Sequence, residues 1–145
     1  MKRSFKQFLE SQPIDNWLSL ETIEKIWEDA NEKIFGGHLT KPKFSLEDDL
    51  NYITKRYKTD GEEKDGHILG FCDRVGSRIV LQFSKKIANA RELLETVVHE
   101  MVHQAEAERT TYLKMHADPH GDDFFAWADA VHAYHHLDLR QIITP

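Results

Sequence analysis

The stretch that decides the fold runs from residue 89 to residue 105 and reads NARELLETVVHEMVHQA. Asn89, with Glu92 three positions later, has the capping-box pattern that is typical of the start of a helix. Apolar residues then recur at the spacing of one broad helix face. They are Leu93, Leu94, Val97, Val98, Met101, Val102 and Ala105. The sequence therefore predicts a long helix in the core of the protein.

An HExxH motif, His99-Glu100-Met101-Val102-His103, lies inside this predicted helix. Histidines four residues apart lie one turn above the other, so both imidazoles can bind one ion. Zinc held in this way lowers the pKa of a bound water toward about 7, and a nearby carboxylate can accept the proton. The motif predicts Zn²⁺ on His99 and His103 with Glu100 as general base. The alternative is two surface histidines beside a solvated glutamate.

A catalytic zinc ion needs a third protein ligand from the downstream sequence. The metzincin continuation is absent, because Glu106 and Arg109 stand where that motif has Gly and His. No glutamate occurs after Glu108, which disfavours a thermolysin-type ligand from a later helix. We select His120, which lies between a loop at 117–119 and a last predicted helix.

Other residues near His120 remain alternatives. His116 could replace His120 as the ligand, or donate a hydrogen bond to a developing oxyanion. Asp122 and Asp123 could bind the metal, but they also suit the first turn of a helix, where carboxylates interact favourably with the helix dipole. Asp118 could orient a ligand imidazole through its second nitrogen.

Composition narrows the class of protein. The 145 residues, 40% of them hydrophobic, are enough for a single domain over residues 1–145. Cys72 is the single cysteine, so this chain can form neither an intrachain disulfide nor a cysteine zinc ribbon, and a reducing compartment is favoured. Lys6, Gln7 and Glu10 interrupt any signal-peptide apolar run, so we expect a cytoplasmic protein with no membrane segment. The net charge of −6 disfavours broad nonspecific binding of nucleic acid.

The remaining elements follow from periodicity and turn residues. Gly36-Gly37 marks the end of a helix, and Gly76-Ser77 marks the turn of a hairpin. The predicted elements are a helix over 14–35, a strand over 43–46, an acidic loop over 47–66, a hairpin over 67–83 and a last helix over 124–131.

Two motifs together resemble a known family. The HExxH motif at 99–103, followed by His120-Gly121-Asp122-Asp123-Phe124, resembles the HExxH and HGxxF signatures of the SprT-like, or Spartan-type, metalloprotease domain. The segment from Asn31 to Leu39 resembles that family's helix end, and Arg78 to Leu81 resembles the strand before its catalytic helix. The resemblance covers roughly residues 14–132.

This resemblance implies an α+β fold of the minimal zincin type, with helices packed on a small antiparallel sheet and the HExxH motif on a central helix. It implies that Zn²⁺ is bound by His99, His103 and His120 and that Glu100 is the base. Spartan-type proteins cleave proteins bound or crosslinked to DNA, so the resemblance also implies a protein or peptide substrate and an association with DNA. The acidic loop over 47–66 looks longer than the family's usual connection, and could be a lid or a partner site.

Two other classes of function stay open on the residues alone. A noncatalytic zinc-containing module, DNA-associated or regulatory, would use zinc only to fix the histidines. A metal-dependent hydrolase of a nonpeptide substrate, including a nuclease, would share the activated water. Substrate panels separate these classes, and no pattern in the sequence predicts an oligomeric state.

Overall fold

The computed structural model describes residues 17–50 and 68–108, which form two helices and a three-stranded sheet. In chain order the elements are α1 (Leu20–Lys33), β1 (Lys43–Glu47), β2 (Gly70–Val75), β3 (Arg78–Ser84) and α2 (Ala90–Ala107). The predicted α+β class is confirmed. Neither of these two helices is both long and apolar enough to cross a membrane. The predicted helix over 124–131 lies outside the described residues.

The helix α1 confirms the central part of the helix predicted over 14–35. The side chain of Ser19 caps its first turn, and Gly36 and Gly37 follow its end with φ angles of 65° and 76°. That left-handed conformation favours glycine and ends helices. Four residues of the predicted apolar face are buried: Ile23, Ile26, Trp27 and Ala30. The helical spacing of apolar residues over 14–35 also predicts Leu20 on this face, but Leu20 is 48% exposed, so that part of the prediction is wrong.

The three strands form a mixed sheet in the order β1-β3-β2. β2 and β3 are antiparallel and joined by the predicted turn, whereas β1 is parallel to β3. The predicted antiparallel sheet is therefore wrong for β1. The hairpin turn fixes only the relative direction of β2 and β3. The direction of β1 depends on the connection over 48–69, whose two ends meet the same end of the sheet, because Leu46 and Gly70 both pair with Phe83.

The strand β1 also takes a residue from the predicted acidic loop. Glu47 pairs with Ser84, and its carbonyl accepts a hydrogen bond of 2.7 Å from the backbone N–H of Lys85. Leu50, three residues further on, is fully buried. The rest of the acidic segment, from residue 51 on, lies outside the described residues.

One face of the sheet packs on the helices. Apolar residues alternate along β3 at Ile79, Leu81 and Phe83, a pattern that predicts one buried strand face, and all three are buried in the main hydrophobic core. On the opposite face, Phe71 packs in a separate small cluster with Leu50 and Ile68. α2 contacts α1, β2 and β3, so the helix that carries the HExxH motif lies at the centre of the described fold.

Candidate metal and catalytic site

The start of α2 is fixed by the predicted capping box. Oδ1 of Asn89 accepts a hydrogen bond of 2.8 Å from the backbone N–H of Glu92. The carboxylate of Glu92 accepts one of 2.9 Å from the backbone N–H of Ala88, one residue before the cap. These bonds satisfy N–H groups that have no acceptor within the helix. They set the residue at which α2 begins.

The two histidines of the motif converge on α2. His99 is fully buried and His103 is 4% exposed. Their Nε2 atoms lie 3.2 Å apart, and their ring centroids are separated by 4.9 Å at an interplanar angle of 70°. Two adjacent turns of one helix therefore direct a nitrogen from each ring at the same point.

This separation fits two ligands of one metal ion. Zinc–nitrogen bonds of about 2.0–2.1 Å in tetrahedral geometry place two ligand nitrogens about 3.3 Å apart. A direct hydrogen bond between a ring nitrogen that carries a hydrogen and one that does not has a similar length. The observed distance is therefore compatible with either arrangement, so His99 and His103 are suitable ligands of one ion.

The remaining ligands are not found in the described part of the chain. Within residues 17–50 and 68–108, no group of three His, Cys, Asp or Glu side chains could hold a metal ion. The predicted third ligand, His120, lies outside these residues, as do His116 and the three aspartates at 118, 122 and 123. His120 therefore stays a prediction.

Glu100 is fully buried and lies against the start of β2. A Cβ atom built on Gly70 would come within 3.0 Å of both Cγ and Oε2 of Glu100, so the carboxylate rests beside the strand backbone. Its charge also acts on Cys72, a buried cysteine of β2. Burial raises the pKa of the Cys72 thiol well above its usual value, and the negative charge of Glu100 raises that pKa further. Two adjacent turns of α2 thus carry the histidine pair and a buried carboxylate.

Two residues that support this site do not stand out in the motif. The sequence could have indicated Gly70, because a glycine inside a strand pattern often marks a close approach of the backbone to another group. Gln104, next to His103, is fully buried and accepts a hydrogen bond of 2.9 Å from Nε1 of Trp27. The sequence could also have indicated Gln104, because it is a polar residue at a position that the helical period assigns to the apolar face.

A model of the SprT-like family matches residues 23–142. The chain belongs to the SprT-like family. The match includes the HExxH motif of α2 and the segment from His120 to Phe124, so it confirms the resemblance drawn from these motifs. No curated protein and no solved structure matches the chain.

Membership of the SprT-like family associates the chain with metalloproteases and with zinc. The described fold agrees with this association in placing both motif histidines and the motif glutamate on one buried helix.

Proposed function

We propose that this SprT-like protein is a zinc-dependent metallopeptidase that hydrolyses peptide bonds. His99, His103 and His120 bind Zn²⁺, and Glu100 is the general base. The 3.2 Å separation of the two buried Nε2 atoms carries the proposal, because it suits shared ligation of one ion. The family match supports it further, since it extends over His120.

The chemistry requires one proton carrier, and we assign this role to Glu100, the glutamate of the HExxH motif. Zinc, when bound, lowers the pKa of a water ligand toward about 7 and polarises the substrate carbonyl. Glu100 takes one proton from the water as the water oxygen bonds to the carbonyl carbon. The same carboxyl group returns this proton to the amide nitrogen as the C–N bond breaks, giving a carboxylic acid and an amine. Burial of Glu100 excludes bulk water from this transfer.

We further propose a substrate class, proteins associated with DNA. The support is the likeness to Spartan-type domains together with the family match. With a net charge of −6, the chain would bind DNA through a local surface or through the DNA-bound protein itself.

Zinc content per chain is the first test, measured by elemental analysis on the parent, His103→Ala and His120→Ala. We expect near one zinc per chain in the parent and much less in both variants. Full zinc in His120→Ala would move the third ligand to His116 or to an aspartate. Little zinc in the parent after zinc is supplied would overturn the proposal.

Turnover is the second test, on protein and peptide substrates with and without single- or double-stranded DNA. Glu100→Gln should keep its zinc and lose turnover, because an amide cannot accept the proton. Glu95→Gln is the matched control: it lies on the same helix, and its carboxylate pairs with Arg91 at 2.9 Å. Equal rates for Glu100→Gln and the parent at equal zinc content would exclude Glu100 as the base. Zinc without turnover on every substrate would indicate a binding module.

A further inference from the structure

Gly70 is the first residue of β2 and lies against α2 at the level of Glu100. A Cβ atom at this position would lie 2.7 Å from Cγ2 of Thr96, and 3.0 Å from Cγ and from Oε2 of Glu100. All three distances are shorter than ordinary van der Waals contacts of 3.4–4 Å. Among the glycines of the described residues, Gly36, Gly37 and Gly76 have positive φ angles, whereas Gly70 does not. Space, and not backbone conformation, therefore requires glycine at position 70.

The neighbours of Gly70 have little freedom to move away. Thr96 is buried, and its hydroxyl donates a hydrogen bond of 2.7 Å to the carbonyl of Glu92. Rotating this β-branched side chain would break that bond. Glu100 is fully buried, so its side chain could yield only by changing rotamer within a packed core.

We propose that Gly70 is a positioning residue for Glu100. Because Gly70 has no side chain, the Glu100 carboxylate can lie close to the backbone of β2. That backbone limits how far the carboxylate can move. The catalytic meaning of this contact rests on the proposed function. The contact itself belongs to the described fold and can be measured without substrate or metal.

Gly70→Ala alone would not separate positioning from packing, because the new methyl group also meets Thr96. In Gly70→Ala/Thr96→Ser the Cγ2 methyl is removed while the hydroxyl that bonds Glu92 is kept. That double variant relieves the contact with Thr96 and leaves the contact with Glu100. Thr96→Ser alone is its reference. Gly76→Ala is the matched glycine control, because Gly76 has a φ angle of 64° and nothing within 4 Å of its Cβ position.

We expect Gly70→Ala to lower Tm and the added Thr96→Ser to recover part of the loss. With zinc content equal to that of the parent, kcat of the double variant should stay at least about tenfold below that of Thr96→Ser, because misplaced catalytic groups are costly. KM should change little. Gly76→Ala should lower Tm through strain and keep the parent's kcat. Recovery of both Tm and kcat in the double variant would reduce Gly70 to a packing role and overturn the proposal.

A second experiment needs no enzymatic activity. It tests the contact by a double-mutant cycle on the stability to urea. Glu100→Ala removes the atoms that a methyl group at position 70 would meet. The urea midpoint lost on Gly70→Ala should therefore be smaller in the Glu100→Ala background than in the parent. Equal losses, or a crystal structure of the Gly70→Ala/Thr96→Ser variant with Glu100 unmoved, would overturn the proposal. If the parent cleaves no peptide, the proposed function fails while this experiment still decides whether Gly70 positions Glu100.

Discussion

Nε1 of Trp27 in α1 donates a hydrogen bond of 2.9 Å to Oε1 of Gln104 in α2, and both side chains are buried. The amide nitrogen of Gln104 donates in turn to the carbonyl of Thr40, at 2.6 Å. Gln104 directly follows His103, so these bonds tie the turn that carries the histidines to α1 and to the loop before β1. They resist rotation of α2 about its axis, which would move both imidazoles.

Gln104→Leu should therefore destabilise the protein. The substitution keeps much of the volume but leaves the buried indole N–H of Trp27 with no acceptor, at a cost of about 1–3 kcal/mol. Unfolding by urea measures the loss, and Arg91→Ala, on the exposed side of α2, is the control that should change little. Adding Trp27→Phe removes the orphaned donor, so the double variant should lose less than the sum of the single variants. Additive losses would contradict the role given to this bond.

Removal of metal should lower thermal stability if His99 and His103 share an ion. A ligand that binds only the native state stabilises it by about 2.7 kcal/mol when its concentration is a hundred times its Kd. We expect the Tm of the parent to fall after chelation and to recover when zinc is added back. His103→Gln, which keeps a polar side chain of similar reach, should show little response to either treatment. An equal response of parent and variant would place the bound metal elsewhere.

Asn89→Ala should destabilise α2 at its first turn. The amide of Asn89 accepts the backbone N–H of Glu92, and loss of such a cap costs about 1 kcal/mol. Asn89→Ser supplies another oxygen at the same position and should recover most of the loss. Urea unfolding of the three proteins distinguishes these outcomes. Equal losses in the serine and alanine variants would mean that the loss does not come from the capping hydrogen bond.

Local patterns predicted the elements whose determinants are close in sequence. The cap at Asn89, the HExxH helix and the turn at Gly76-Ser77 are each specified within a few residues, and the structure confirms them. Strand alternation predicts that Ile79, Leu81 and Phe83 share one face, and this face is buried in the main core.

Other features depend on contacts between distant segments, which a local pattern does not contain. The parallel pairing of β1 with β3 depends on where the connection over 48–69 returns to the sheet. Leu20 fits the helical period of α1 yet is exposed. The period shows which residues share a helix face, but not which other segments pack against each part of that face. The pairing of Trp27 with Gln104 joins residues 77 positions apart. For the candidate site, the sequence pattern predicted that His99, Glu100 and His103 share one helix, whereas the contact between Gly70 and Glu100 required the fold.

Cys72 should resist alkylation in the native protein. Burial, and then the charge of Glu100, raise the pKa of its thiol well above the usual value, so the reactive thiolate is scarce. Native protein should react with iodoacetamide far more slowly than urea-unfolded protein, near pH 7 and near pH 9 alike. Rapid labelling of the folded protein would contradict this environment for Cys72.

The same raised pKa predicts a loss of stability at alkaline pH. The unfolded thiol ionises from about pH 8.5 upward while the buried thiol stays protonated, so the unfolded state is favoured as the pH rises above that value. Below it, both states hold the proton and the effect vanishes. Cys72→Ala should remove this contribution, so the difference in free energy of unfolding between parent and variant should change between about pH 7 and about pH 10. A constant difference would mean that the thiol ionises equally well in both states, which the burial of Cys72 beside Glu100 opposes.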